Sequence, residues 1–445
     1  MNNSTSRSQF PSAYKNALVT PVFKKGNKRL PENYRPISYL PILSKVIEPV
    51  VKDQLTHHLE TLRLLSPRQF GFRRGHSTEQ MLHYLLDELC RTMDASQPRY
   101  TLLLSIDIRK AFDTVCHETL ITKLEKFFSF SSMSISFFQS YLTDRSQTVK
   151  IGNGLSDPCL ITQGVPQGSI LGPILFNMMV NDLLVDNPSV ISYADDATLI
   201  LPSSTVELAL SNSVLEFERL EKWYTENGFK LNVAKCACMI VTNRKVPEDL
   251  SLTLMNHELK IQDSFPLVGF TLDPRLTLSV QTKNIKSSIS SLLYSFKKIR
   301  SYLTVSEATQ IYKTLIRPKI EYCSTLLLGT TLENERVLES LQNRAVRIIC
   351  KATFSNSSSF SVSSARLSLN LPTLITRRME SFDRIVANVI GGRRSGALLS
   401  LLSGCHTRSR RLRSPCDWVL PAAMTNYGRR RFVFRAVTTL KRRIR

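Results

Sequence analysis

The run RYTLLLSID is apolar without alternation from Tyr100 to Ile106. That pattern predicts a strand covered on both faces, and it ends on Asp107. In KAFDTVCHETLITKLEKF, residues Phe112, Val115, Leu120 and Leu124 fall at helical spacing, so a helix is expected from Lys110. ITQGVPQGS reads as a Gly/Pro loop that opens a second apolar helix, ending near Leu184. VISYADDATLIL predicts two short strands with a turn at Ala194-Asp195. SNSVLEFERLEKWYTENG predicts a helix stopped by Asn227-Gly228. FKLNVAKCACMIVT returns to a strand, and PLVGFTLDPRLT predicts a hairpin with Asp273-Pro274 in its turn.

Beyond this point the pattern becomes helical. Ile285, Ile289, Leu292, Phe296, Ile299 and Leu303 form one stripe, with Lys283, Lys286, Lys297, Lys298 and Arg300 off it. Thr304 and Glu307 have the spacing of a capping box, and the helix they start is expected to run to Arg317-Pro318. Ser355 to Ser364 reads as a loop or linker. Acidic residues then fade, and from residue 401 onward there are 12 Lys/Arg against one Asp, a net of +11.

Composition narrows the class. With 445 residues and 42% hydrophobic content the chain is globular, with room for roughly two or three domains. Its 59 Lys/Arg against 36 Asp/Glu give a net charge of +23. Such a charge favours a polyanionic partner, nucleic acid first and an anionic membrane second. The polar N-terminus has no secretory pattern, and the longest apolar run, from Ser169 to Val185, is too short and too polar to span a bilayer. An intracellular protein of nucleus or cytoplasm, not a secreted one, is expected. The nine Cys are scattered without the paired spacing of a zinc site, which suits reduced thiols.

Three carboxylates stand out against this background. Asp107 ends a buried strand, and Asp195 and Asp196 sit at a hairpin turn. Clustered alone they would repel, raising at least one pKa. Two divalent cations remove that problem: Mg²⁺ accepts a few carboxylates together with substrate phosphate oxygens, and an ion pair of this kind clamps both oxygens of a phosphoryl displacement. For the adjacent pair taken alone, solvated turn carboxylates are the default reading.

SIDIRKAFD, QGVPQGSILGP, YADD, GFKLNVAKC and VGFTLD follow one another in this order. Together they resemble the palm motifs of reverse transcriptases, most closely those of non-LTR (LINE-type) retrotransposons. FPSAYKNALVTPVFKKGNKRLPENYRPIS and LSPRQFGFRRGHST resemble that group's finger motifs. LTVSEATQIYKTLIRPKIEYC and LQNRAVRIIC resemble its thumb and following segments. The resemblance implies an α+β right-hand polymerase: fingers over 1–95, a palm with an antiparallel sheet over 96–279 carrying a finger insertion at about 118–158, a helical thumb over 280–352, and a basic helical C-terminal segment over 353–445. It implies an RNA-directed DNA polymerase that adds dNTPs to a primer 3′-hydroxyl on an RNA template, with two Mg²⁺ ions (Mn²⁺ as a substitute).

Carried over residue by residue, the metal ligands are Asp107, Asp195 and Asp196. Phe112 is the residue whose bulk excludes a ribose 2′-hydroxyl. Pro166, Gln167 and Gly168 are the nucleotide-pocket loop, which can also serve simply as a helix entry. Arg35, Lys45, Arg73 and Arg74 are candidates for the triphosphate or for solvated surface. Lys235 is the candidate to protonate the leaving pyrophosphate. Asp113 either reads a ribose, as in RNA-dependent RNA polymerases, or caps and pairs locally. Arg109 and Cys236 depart from the usual Ser and Thr without removing a required group. The resemblance further implies a polymerase module with no endonuclease ahead of it. A catalytically silent nucleic-acid-binding remnant and a group II intron-type maturase are the alternatives.

Overall fold

The structure is a computed structural model that describes residues 8–97, 99–351, 360–392, 396–403, 405–407 and 417–444. Its centre is a four-stranded antiparallel sheet in the order Val190–Tyr193, Asp196–Ser203, Tyr100–Ile106, Cys238–Val241. The unbroken apolar character of the third of these strands follows from its place. Leu102 and Leu104 face one core, shared with the helices His117–Phe128, Gly172–Met179 and Val206–Glu226. Leu103 faces another, shared with the helix Thr78–Asp94 and the C-terminal helices. All three leucines are fully buried.

A second sheet joins segments far apart in sequence. The strand Asn16–Phe23 pairs antiparallel with Tyr34–Tyr39 and parallel with Arg145–Ile151, and the latter is extended by Gly154–Leu155 and Cys159–Ile161. From Ser279 onward every long element is helical, including Ser279–Ile299, Leu332–Ile349 and Leu374–Ile390. Among the described residues no helix is long and apolar enough to cross a membrane.

Several elements differ from the sequence expectation, each for a local reason. No helix starts at Lys110. That residue is left-handed (φ 49°), a 3₁₀ turn covers Ala111–Asp113, and the helix begins only at His117. The carbonyls of Phe112 and Val115 accept from Val165 and Gly164 at 2.8 and 2.7 Å, so they are spent on the Gly/Pro loop. The second apolar helix is broken at Val180 into Gly172–Met179 and Asn181–Asp186. The strand after Gly228 shrinks to Cys238–Val241, because Val233–Lys235 forms a 3₁₀ turn. The hairpin Phe265–Leu267/Phe270–Leu272 turns at Val268-Gly269, both with positive φ, and Asp273 instead accepts from the amides of Thr277 and Leu278. Of the predicted stripe, Leu292 is only partly buried, with Leu293 in the core instead, and Ile299 is 46% exposed.

The Thr304/Glu307 capping box forms as expected. The helix it starts does not end at Arg317. It widens into a π segment over Tyr312–Ile316 and continues as Arg317–Glu321. Pro318 has no N–H to give, and a wider turn relieves its clash with the preceding carbonyls. The Ser-rich stretch lies outside the described residues up to 359; its remainder enters the helix Val362–Ser368. Most of TRSRRLR also lies outside them.

The basic end of the chain is in part structural. Phe432, Val433, Ala436 and Val437 pack on Phe382, Val386, Val389, Leu398 and Leu402 in a third core. That core is tied to the sheet's helix Thr78–Asp94: Asp87, fully buried, accepts from Arg431 at 3.1 Å and from the Val433 amide at 3.0 Å. His83 lies at the same junction, beside Phe382 and Phe432. Thr325 donates to Glu79 at 2.6 Å, so it accepts from His83 Nε2 at 2.7 Å, which places a proton on Nε2.

Burial, helped by nearby Arg435, holds the His83 pKa down to about 3. The unfolded chain takes up this proton near pH 6.5 and the folded chain refuses it, so stability falls as pH drops through the window from 6.5 toward 3. Chemical denaturation at pH 7 and pH 5 should show wild type losing on the order of 2 kcal/mol more than His83→Gln over that interval. Equal losses in the two proteins would contradict the assignment.

Candidate active site

The register of the central sheet builds the carboxylate cluster. Ile106 pairs with Ala197, so the next residues along each strand, Asp107 and Asp196, emerge side by side at the same end. Asp195 follows Ala194, which is left-handed at φ 60° and makes the hairpin turn tight. Burial is the main cause that pushes the Asp195 carboxyl above its ordinary range. Its own backbone amide pulls it back, facing Asp107 adds to the rise, and Arg35 and Lys24 oppose it. Asp196 is raised by burial, then by Asp195 and Asp107, against Lys24. Asp196 remains exposed, so solvent screens part of this repulsion. Lys235 Nζ lies 3.7 Å from Asp107 Oδ2, with 64% of its side chain in solvent.

The donor set is carboxylate oxygen without thiol or imidazole, which suits a hard divalent cation. Among the described residues no group of three or more His, Cys, Asp or Glu side chains is placed to hold a metal ion by itself. Mg²⁺ needs none, since it takes a few carboxylates and completes its shell with water and phosphate oxygens.

Phe112 stacks on Phe176 at 4.5 Å and meets Phe72 edge-on at 6.2 Å. The loop of Pro166, Gln167 and Gly168 is gripped from two sides. Gln167 Nε2 donates to Asp113 at 2.8 Å, and the Gln167 carbonyl accepts from the Ser38 amide at 2.9 Å. Gly168 has φ 113°, and a Cβ there would sit 2.5 Å from the Ser38 carbonyl, so the approach requires glycine. Asp113 therefore pairs locally, and burial raises its carboxyl pKa while Gln167 and Lys110 oppose the rise.

The finger candidates separate. Arg35 is exposed and acts electrostatically on Asp195. Lys45 is exposed at the start of the helix Ser44–Thr61. Arg74 is exposed and lines, with Lys52 and His57, a cleft of about 810 Å³. Arg73 lines the same cleft, but its guanidinium is engaged. Its side chain is 7% exposed, it forms a two-pronged bridge to Glu60 at 3.0 and 2.9 Å, and it donates to the Ser66 carbonyl at 2.6 Å.

Residues 22–272, more than half of the chain, match the sequence profile of the reverse transcriptase (RNA-dependent DNA polymerase) family. The chain belongs to this family. Similar proteins include the probable RNA-directed DNA polymerase from transposon BS of Drosophila melanogaster, 30% identical over 76% of this chain and 39% of that protein. The RNA-directed DNA polymerase from mobile element jockey of the same fly is 27% identical over 70% of this chain and 35% of its own length. A Pol polyprotein from the type-1 retrotransposable element R2 of Popillia japonica is 26% identical over 53% of this chain and 33% of its own. The resemblance to non-LTR reverse transcriptases is thereby borne out, and with it the α+β right-hand fold. The chain spans about two-fifths of the length of the first two relatives. Among solved structures, telomerase from Candida tropicalis in complex with a telomeric RNA fragment is 12% identical, with a TM-score of 0.46, over 79% of this chain and 56% of that one.

Sequence reasoning passed over several residues that hold this reverse transcriptase site together. Gln69, 1% exposed, accepts through Oε1 from the amides of Ala194 at 3.1 Å and Gly71 at 3.0 Å. Ser192 Oγ donates to the Ala194 carbonyl at 2.7 Å. Both polar groups of the strained turn residue are thus bound by side chains. Glu48, fully buried, accepts from the amides of Ile170 and Leu171 at 2.6 and 3.1 Å, fixing the exit of the 166–168 loop where the next helix starts. Asn177 and Asn181, which in the sequence only interrupt an apolar run, donate to the carbonyls of Gly71 and Leu64. Lys24 belongs to this group too, as a cation facing both turn carboxylates. Asn177, between Phe176 and Met178, carried the one available signal, a polar residue inside an apolar run; Gln69, beside Arg68, and exposed Lys24 carried none.

Gln69→Leu leaves the buried amides of Ala194 and Gly71 without their acceptor. The expected loss of stability is about 1–3 kcal/mol, measured by urea denaturation. A loss near zero would mean that the turn does not depend on Gln69.

Proposed function

We propose that the chain is the polymerase part of a retrotransposon protein, extending a DNA primer with dNTPs on an RNA template. The observation that carries this reading is the sheet register that sets Asp107 beside Asp196, with Asp195 on the adjoining turn. Asp107, Asp195 and Asp196 would hold two Mg²⁺ ions, which supply charge stabilisation to an in-line phosphoryl displacement. Arg35 and Lys24 would draw the triphosphate toward the carboxylates, and Lys45 and Arg74 remain candidates for contacting it. Arg73 instead stiffens the segment through Glu60. Lys235, beside Asp107, would give its proton to the departing pyrophosphate.

Phe112 would exclude a ribose by steric overlap. The engagement of Asp113 by Gln167 supports Phe112, rather than Asp113, as the sugar reader. Pro166, Gln167 and Gly168 would line the nucleotide pocket at the seam with the strand Tyr34–Tyr39. We assign fingers to 1–95, palm to 96–279, thumb to 280–352 and the basic segment to 353–445. The pairing of Asn16–Phe23 with Arg145–Ile151 supports counting the insertion at about 118–158 with the fingers. The net charge of +23 supplies grip on phosphates whatever their sequence.

On poly(rA)/oligo(dT) with Mg²⁺, wild type should extend the primer, and Asp195→Asn and Asp196→Asn should each lose at least about a hundredfold in rate. Primer-template affinity, read by filter binding, should stay within about threefold of wild type, since phosphate contacts elsewhere carry it. Near-wild-type extension by Asp195→Asn would overturn the assignment. Phe112→Val should raise ribonucleotide incorporation relative to dNTP by roughly 5- to 150-fold, the factor carried by relief of a buried overlap. Wild-type preference for ribonucleotides would contradict the reading altogether.

A further inference from the structure

Phe72 is an aromatic residue in the left-handed backbone region, at φ 56°, with 54% of its surface exposed. Few non-glycine residues adopt this conformation, and it persists only where the surroundings over-determine it. Here both neighbours are pinned. The Gly71 amide donates to Gln69 and its carbonyl accepts from Asn177 at 2.8 Å, and a Cβ on Gly71 would lie 2.3 Å from the Ala194 nitrogen. On the other side Arg73 is clamped by Glu60 and Ser66. A ring this exposed gains little from burial, so core packing does not explain the strain. Among the described residues its one ring-to-ring contact is with Phe112, perpendicular at 90° and 6.2 Å.

One helix governs both sides of that contact. On Gly172–Met179, Phe176 stacks behind Phe112 while the next residue, Asn177, holds Gly71. Phe112 is thus confined by a parallel ring behind it and by a ring edge from the finger segment.

We propose that Phe72 is a positioning residue for sugar selection, its ring edge fixing the rotamer of Phe112 from the finger side; this rests on the reading of Phe112 as the sugar gate. The discrimination then belongs to an aromatic corner rather than to Phe112 alone. Without Phe72, the Phe112 ring could swing toward the vacated side and admit a 2′-hydroxyl.

The test compares single-nucleotide incorporation of dATP and ATP opposite U by the full chain, as the ratio of kcat/KM values. Phe72→Gly removes the ring and relieves the positive φ, so it should melt no lower than wild type. Its dATP preference should nevertheless fall roughly 3- to 10-fold, the factor carried by one edge-to-face aromatic pair. Phe72→Leu, which keeps bulk without an aromatic edge, should relax the preference in the same direction, and Phe72→Tyr should restore it. A merely structural role would move the melting temperature and leave the ratio alone. Wild-type ratios in Phe72→Gly and Phe72→Leu, beside a relaxed ratio in Phe112→Val, would overturn the role of Phe72 and spare the gate. An unchanged ratio in Phe112→Val would overturn the gate and this inference with it.

Discussion

Like charges do not gather at the end of a β-sheet unless the backbone holds them there. Asp107 and Asp196 are set abreast by strand pairing, and Asp195 is added by a turn whose residue Ala194 is itself left-handed. Burial and, behind it, mutual repulsion oppose this arrangement, and both raise the pKa values of the two turn carboxyls. What opposes the repulsion is a set of directed contacts: Gln69 on the Ala194 amide, Ser192 on its carbonyl, and Gly71 packed where no side chain could fit. The Oε1 of Gln69, buried and shared by the amides of Ala194 and Gly71, is costly to leave unpaired, so it favours one geometry of the turn.

The same logic extends outward from the turn. The segment that carries Gln69 runs alongside the strand Val190–Tyr193 through Gln69 and Ser192 and is held by Asn177 and Asn181 from the neighbouring helices. The loop of residues 166–168 is fastened by Asp113 on one side, Ser38 on another and Glu48 at its exit. Burial raises the Glu48 pKa, while its two amide donors and Arg145 favour the charged form. Residues separated by more than a hundred positions thus converge on one small region. A distortion in the finger segment would reach the carboxylates through hydrogen bonds rather than through bulk packing.

This explains which parts of the molecule could be read from the sequence. The buried strand ending at Asp107, the hairpin at Ala194-Asp195, the helix stopped at Asn227-Gly228 and the Thr304 capping box are local patterns, and they formed as expected. The break after Lys110 could not be read locally, because the carbonyls that would have started a helix are taken by Gly164 and Val165, some fifty residues on. The same limit applies to Arg73, whose partner Glu60 is indistinguishable in sequence from any surface acid. It applies equally to Gln69 and Glu48, whose burial depends on elements contributed from elsewhere. At the C-terminus, composition alone suggested a basic appendage, but the apolar positions of Phe432 to Val437 pack against the helices Leu374–Ile390 and Gly396–Ser403.

If the carboxylate cluster is a strained arrangement kept for cation binding, it should cost the free protein stability. Thermal unfolding of wild type and Asp195→Asn, each with and without Mg²⁺, tests this most directly. In metal-free buffer Asp195→Asn should melt higher than wild type, because one repulsive charge is gone, and Mg²⁺ should raise the melting temperature of wild type while barely moving the variant. A variant that melts lower than wild type, together with no response of either protein to Mg²⁺, would contradict the account.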